Sequence, residues 1–398
     1  MGAQRYYMWD YHSVVEVGSG CRTFVPERFI EMGAKRIGLI TDPGLVKAGV
    51  VDMVTDIFKA QNEPLLVGIY DKVEPDAKMT VINDCARWVR ENAIDGLLAV
   101  GGGSVLDTVK GVKTMLCLKA TRIQDLMPGN IGLYSRPVGK PLNFPHVALA
   151  TTAGTGAEVS PVAVIYNAEQ KVKGDLLHPF LGADYAFLDP DLTVGLPPKI
   201  TADTGFDALS HAVEGLSSPN SNEMIDAIDE ASIRVIIENL PRAMADGKDL
   251  EARTNMLAAS NMAIMGFSMA GSFYPIHNVA HPCGGQLRIP HGNANAVLIP
   301  VLMEQYPGHY LPSAVKMARA FGVYQKGASG QELMKLTIEA VRSLQKTCGV
   351  KPKFDIKLDA SQIEQMVTAI KLDPAGLFYP LPENVIRGTL GVVFDKKK

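Results

Sequence analysis

The chain reads as an α/β domain built on a parallel sheet followed by an all-α domain, and three observations predict this. Short apolar, β-rich runs alternate with helical patterns through the first half. From about Asp191 that alternation gives way to one helical pattern after another. Pro190, Pro197 and Pro198 punctuate the change, which sets the expected domains at residues 1–190 and 191–398.

Taken in order, Arg36 to Ile40, Leu65 to Ile69, Gly96 to Val100 and Val147 to Ala150 have the length and apolar character of buried strands. Met79 to Asn92 carries apolar residues at helical spacing between two of them, as a crossover between parallel strands requires. In the second half, Asn222 to Leu240, Leu250 to Phe267, Ala294 to Tyr306, Ser313 to Phe321, Gln331 to Thr347 and Ser361 to Ile370 read as helices. No internal repeat or low-complexity tract interrupts them.

Composition excludes several classes of function. A chain of 398 residues with 47% hydrophobic and 20% charged residues and a net charge of −3 is long enough for two globular domains. Its pI of 6.3 and scattered lysines argue against nucleic acid, and the terminal Asp395 to Lys398 run reads as a solvated tail. No apolar run reaches the ~18–20 residues of a membrane span, and the first residues lack a signal-peptide core, so no membrane partner is expected. Five widely spaced cysteines without a CxxC pattern fit reduced thiols, hence a cytoplasmic location.

The most informative residues lie between 207 and 291. Asp207 and His211 are four apart in TGFDALSHAVEG, so a helix would place both on one face with Cβ atoms ~5–6 Å apart. His277 and His281 repeat that spacing in HNVAHP, and His291 follows between Pro290 and Gly292, which mark a turn able to bring one more imidazole to the same point. One carboxylate and several neutral imidazoles are a divalent-metal donor set. Four of the eight histidines fall here, beside Ala212, Ala280 and Gly292. Such small residues suit either room for an ion and substrate or a close helix crossing.

A second constellation lies in the first half. The strand ending at Val100 runs into Gly101, Gly102, Gly103 and Ser104, with a helix start at Val105 and a capping-box spacing between Ser104 and Asp107. Glycines at a strand-to-helix junction let backbone N–H groups and the helix dipole approach a phosphate, although a tight turn alone would also use them. Thr151, Thr152 and Thr155 follow another strand end, where α/β sheets bind ligands. Asp42, after the strand Arg36 to Ile40, could accept a ribose 2′-hydroxyl and would repel a 2′-phosphate, so NAD is favoured over NADP. An Asp-Pro-Gly turn is the plainer alternative.

With GGGSVLDTVK, TTAGTGAEVS, the run from Leu188 to Glu214 and HNVAHPCGGQLRIPHGNANAVLIP in view, the chain resembles the iron-containing (group III) alcohol dehydrogenase family over nearly its full length. The resemblance implies the fold of that family and of dehydroquinate synthase: a dinucleotide-binding domain, a helical domain and a cleft between them. It implies that Asp207, His211, His277 and His291 hold the metal and that His281 stands beside it as a proton relay or a buttress. Asp42 would meet the adenosine ribose and Gly102, Gly103 and Ser104 the pyrophosphate, Gly101 and Asp107 would also belong to the cofactor site, and Thr151, Thr152, Thr155, Lys173 and Leu192 would complete the cleft. Fe²⁺ is the expected ion, with Zn²⁺ equally suited by ligand type. The expected partners are a small alcohol or aldehyde and further copies of the chain, as a homodimer or larger assembly.

Three departures from the family pattern concern substrate and cofactor. FSMAGSFYPIH runs one residue long and carries Phe273, Tyr274 and Pro275, expected to narrow or line the pocket; Val162 would make one wall apolar; Asp76 stands where Asn is frequent. Two rival classes remain at this point, a metal-dependent hydrolase and a non-catalytic NAD-binding or assembly protein with a structural metal, and within the oxidoreductases a further alternative stays open. A metal-dependent hydrolase would need no nucleotide site, and a polyol dehydrogenase of the glycerol type would share the fold.

Overall fold

The computed structural model describes residues 7, 9–59, 62–127, 140–169, 172–271, 273–376 and 379–397. Its first half comprises β1 (Val14–Val17), α1 (Val25–Glu31), β2 (Arg36–Ile40), α2 (Pro43–Lys47), α3 (Val50–Thr55), β3 (Leu65–Tyr70), α4 (Met79–Glu91), β4 (Gly96–Gly101), α5 (Gly103–Cys117), β5 (His146–Ala150), β6 (Val162–Asn167), β7 (Val172–Leu177) and β8 (Tyr185–Leu188). The second half contains α6 (Pro198–Ser217), α7 (Glu223–Ala245), α8 (Leu250–Ala270), α9 (Pro275–Leu287), α10 (His291–Gln305), α11 (Pro307–Tyr310), α12 (Ala314–Ala320), α13 (Gly330–Thr347), β9 (Lys357–Leu358), α14 (Ala360–Leu372), α15 (Glu383–Val393) and β10 (Asp395–Lys396).

Six strands form one sheet in the order β1-β8-β5-β4-β2-β3, every pair parallel. All carboxyl ends therefore lie along one edge. From β2 the chain steps outward to β3, then returns through α4 to β4 on the other side of β2, so the direction of winding reverses between β2 and β4. That reversal opens a crevice at the strand ends, the usual ligand position in such sheets. Burial explains why the sequence shows the central strands so clearly. Every residue of β4 and β5 is buried, and all but His146 at the start of β5 are apolar or small, whereas β1 leaves Val14 and Val17 about half exposed at the sheet edge.

Apolar layers cover both faces of the sheet. One is built from α4 and α5 through Ile82, Val89, Leu106 and Val109, the other from α1 and α3 through Val25, Phe29 and Val54. The helical half has its own core, with Phe206, Leu209, Ile233, Ile236, Val297 and Leu298 at its centre. Helices occupy it apart from the two-residue parallel ladder of β9 and β10. An antiparallel hairpin, β6 with β7, leaves the main sheet and reaches α9.

The expected capping box at the first glycine-rich loop does not form. Gly102 is the N-terminal cap and α5 begins one residue later, because only glycines fit there; a Cβ on Gly103 would lie 2.8 Å from the Thr155 methyl. Asp107 is instead buried behind the loop, where it accepts the Val164 N–H at 3.0 Å and pairs with the buried Lys110 at 3.3 Å.

Candidate active site

Asp207 and His211 project from one face of α6, as their spacing requires, and His277 comes from the first turn of α9. Their donor atoms all lie within 4.8 Å of one another, and the His211 and His277 rings stack with centroids 4.8 Å apart. His291, the first residue of α10, completes the group with Nε2 3.4 Å from Asp207 Oδ1. Its approach depends on Gly292, where a Cβ would stand 2.1 Å from the Asp203 carbonyl oxygen of α6. The glycine beside this histidine thus serves a helix crossing.

Asn295, one helical turn beyond His291, reveals where the lone pairs point. Its amide nitrogen donates to Asp207 Oδ1 at 2.7 Å and lies 3.2 Å from His291 Nε2 and 3.4 Å from His277 Nε2. Three acceptor atoms therefore converge on one spot. Glu214, three residues past His211 on α6, governs the orientation of His277: one carboxylate oxygen meets Nδ1 and the other accepts the Ile276 N–H of α9. With Nδ1 holding the proton, Nε2 presents its lone pair to the cluster.

The electrostatics suit a cation. Burial pushes the imidazoles of His211, His277 and His291 well below the ordinary histidine range, so all three are neutral donors at neutral pH. It also raises the Asp207 carboxyl to about 7, against the hydrogen bond from Asn295. Buried lone pairs and a desolvated carboxylate facing one another lack positive charge, which is what a divalent ion brings. The donor set fits such an ion.

His281 lies one turn further along α9, its ring stacked on His291 with centroids 5.4 Å apart. Burial pulls its pKa down, but Asp373 beside it reverses the sign, so the net shift is upward. Two acidic groups missed in the sequence face it. Asp373 follows α14 and touches Nδ1 at 3.2 Å; Asp175 lies on β7, its carboxyl pushed to about 6 by burial and near enough to feel His281.

The nucleotide loops meet at the crevice. Thr41 Oγ1 donates to the Val100 carbonyl, and the Thr151 N–H donates to the Gly101 carbonyl, which ties three strand ends together. A Cβ on Gly102 would lie 3.1 Å from Thr152 Oγ1, so the Gly101 to Ser104 and Thr151 to Thr155 loops form the two walls of one cradle. Asp42 caps α2 by accepting the Gly44 and Leu45 N–H groups through Oδ1 alone. Lys173 on β7 pairs with Asp76 at 2.9 Å, and Ser104 Oγ accepts the Asp76 N–H. Leu192 is buried in the apolar layer that includes Val100 and Leu149.

The two aromatic residues of the FSMAGSFYPIH segment differ in exposure. Phe273 is buried against His309, Tyr306 and Tyr379, whereas Tyr274 is partly exposed and stacks on Phe267, whose ring packs edge-on against His211. Val162 opens β6, and its carbonyl accepts from Lys110 Nζ.

Comparison with known proteins identifies the family. Residues 13–190 match the family model for iron-containing alcohol dehydrogenase, and residues 201–376 match that for the C-terminal part of the Fe-containing alcohol dehydrogenase family. This chain belongs to the iron-containing alcohol dehydrogenase family. Long-chain-alcohol dehydrogenase 1 of Geobacillus thermodenitrificans is 37% identical over 72% of this chain and 70% of its own length. Choline dehydrogenase of Bacillus subtilis is 30% identical over 93% of this chain and 90% of its own. The solved alcohol dehydrogenase from Oenococcus oeni superposes with a TM-score of 0.88 at 29% identity, covering 97% of this chain and all of that one. As a family member the protein is an oxidoreductase that interconverts alcohols and aldehydes.

Glu214 and Asn295 were legible in principle. Each sits one helical turn from a histidine, Glu214 three residues after His211 and Asn295 four after His291, where a partner for the donor set must come from. Asp175 and Asp373 carry no local signal, because they meet His281 from 106 and 92 residues away in the sequence (281 − 175 and 373 − 281).

Proposed function

We propose that the protein oxidises a small alcohol with NAD⁺ and reduces the corresponding aldehyde with NADH, using Fe²⁺ held by Asp207, His211, His277 and His291. The observation that carries this reading is the convergence of Asp207 Oδ1, His277 Nε2 and His291 Nε2 around the Asn295 amide. When bound, the divalent cation supplies Lewis acidity toward the alcohol oxygen, and the nicotinamide supplies the hydride acceptor.

The chain's own residues do the rest. Glu214 and Asn295 orient the donors, and the cradle of Gly101 to Ser104 with Thr151, Thr152 and Thr155 takes the pyrophosphate at the switch of strand order. Asp42 has Oδ1 committed to its helix cap, which leaves Oδ2 for a ribose hydroxyl and places a negative charge where NADP would bring a phosphate. His281 accepts the hydroxyl proton at Nε2 and passes it outward. The Phe267–Tyr274 stack walls the side of His211 and favours small substrates.

A domain division at residues 190 and 191 would let closure of the cleft bring nucleotide and metal together and exclude water. The exposed edge of β1, with Val14 and Val17 turned outward, supports self-association as a homodimer. The five unpaired cysteines support a reducing, cytoplasmic setting.

The test is a panel of NAD⁺ and NADP⁺ with short alcohols, run on protein reconstituted separately with Fe²⁺ and Zn²⁺. Metal-dependent NADH formation, with Fe²⁺ giving the higher turnover and NADP⁺ used poorly, is expected. Turnover in the metal-free protein, or a preference for NADP⁺, overturns the reading.

A further inference from the structure

The carboxylate of Asp373 is the least expected neighbour of the site. It lies at the end of α14, far from α6, α9 and α10 in the sequence, yet Oδ1 meets His281 Nδ1 at 3.2 Å with both side chains nearly buried. The same oxygen accepts the Ala375 N–H at 3.0 Å and faces the Asn278 amide at 3.5 Å. Asn278 in turn donates to the Ile370 carbonyl at 2.9 Å, and a Cβ on Gly376 would meet the Asn278 side chain at 2.7 Å. The 370–376 segment is thus docked tightly onto the helix that carries His277 and His281. Oδ1 cannot rotate away without freeing a backbone N–H.

An imidazole held this way has a defined tautomer. A carboxylate accepts only, so it keeps the proton on Nδ1 and leaves Nε2, on the other side of the ring, as the acceptor. The ring itself borders the donor cluster, stacked on His291 with centroids 5.4 Å apart and standing T-shaped to His277 at 5.8 Å. Asp175 and Lys173 of β7 also face His281, but no hydrogen bond links either to the ring. The orienting contact is with Asp373.

We propose that Asp373 is a positioning residue for proton transfer: it fixes His281 as the Nδ1–H tautomer so that Nε2 is free to take the proton released when the alcohol is oxidised. This rests on the reading of His281 as the relay. In the balanced step, the alcohol O–H bond breaks, its proton goes to Nε2 and later to solvent, and the two electrons leave with the carbinol hydrogen to NAD⁺. Asp373 itself gains no proton. Its part resembles that of the carboxylate in a Ser-His-Asp arrangement, which orients an imidazole without being consumed.

The test combines nitrogen-15 NMR of histidine-labelled protein with steady-state kinetics. At about pH 9, above the ordinary histidine pKa of ~6.5, the metal-free protein should show His281, assigned by its loss in His281→Gln, as the Nδ1–H tautomer. Asp373→Asn keeps an acceptor at Oδ1, held there by the Ala375 N–H, and should retain both the tautomer and most of kcat. Asp373→Ala should lose the tautomer and lower kcat by about 10–100-fold, with the alcohol KM changed less than about twofold. An Nε2–H tautomer in the wild type overturns the proposal whether or not any variant folds. So does an unchanged kcat in a folded, metal-loaded Asp373→Ala. If His281→Gln itself keeps full kcat, the relay reading fails; if only Asp373→Ala is without effect, the relay stands and the positioning role fails.

Discussion

Where α6, α9 and α10 meet, Asp207, His211 and His277 are buried side by side with the partly exposed His291 at their edge, while His146 at the start of β5 and Asp229 in α7 are buried alone. Burial acts the same way on both groups of residues. It drives His146 well below the ordinary histidine range, helped by Lys113 and Lys110, and drives Asp229 well above the carboxylate range, helped by Asp226. Among the described residues, both His146 ring nitrogens and both Asp229 oxygens lack a hydrogen-bond partner. Asp229 is pressed between helices: a Cβ on Gly215 would lie 2.0 Å from one of its oxygens and a Cβ on Gly266 2.1 Å from the other. A displaced pKa therefore marks burial and does not by itself mark function. What separates the cluster is convergence of donors and a second layer, Glu214 and Asn295, that aims them.

Removing one histidine from each setting separates the two most strongly. His277→Ala should lower metal affinity and turnover by more than about 100-fold, since loss of a ligand exceeds the ~10–100-fold loss typical of an outer partner. His146→Phe should leave both unchanged. Metal content after dialysis and NADH formation check the pair, and equal losses in the two variants would erase the distinction.

A smaller effect is expected from the second layer. Glu214→Gln keeps the shape and much of the hydrogen bonding to Ile276 and His277 but removes the carboxylate that fixes the Nδ1 proton. Metal affinity should fall about 10–100-fold while the fold is retained. Competition with a chelator measures it. An unchanged affinity would show that His277 needs no orienting partner.

The smallest effect concerns pH. The folded-state pKa of His146 lies below its unfolded value of ~6.5, so below that pH the unfolded chain binds the extra proton. Its share of stability is complete above about 6.5 and declines as the pH falls, by up to about 1 kcal/mol over the first unit. Denaturant unfolding at pH 7 and pH 5.5 should show a smaller acid loss in His146→Phe than in the wild type. A steeper loss in the variant would contradict the assignment.

Legibility in the sequence followed the same division. Strands buried on both faces, such as β4 and β5, could be read from apolar character alone, but β1 at the edge and the β6–β7 hairpin could not, since half-exposed or local pairing leaves a mixed pattern. The metal donors were legible because two of them lie four apart on one helix and the others sit beside helix starts. The glycines and alanines near them had two readings, and Gly292 against Asp203 decides for helix crossing at that position. Asp107 was misplaced by a pattern: its spacing from Ser104 fits a capping box, yet Gly102 starts the helix earlier and Lys110 draws the carboxylate inward. Asp373 was beyond reach. No periodicity links α14 to α9, and only packing joins them.

X-ray absorption on metal-stripped protein given one equivalent of Fe²⁺ under anaerobic conditions reads the ligand set of the ion itself. One tightly bound ion with only nitrogen and oxygen neighbours, three of them imidazoles, is expected, with loss of that imidazole signature in His277→Ala. A sulfur neighbour, or an identical spectrum in the variant, would contradict it.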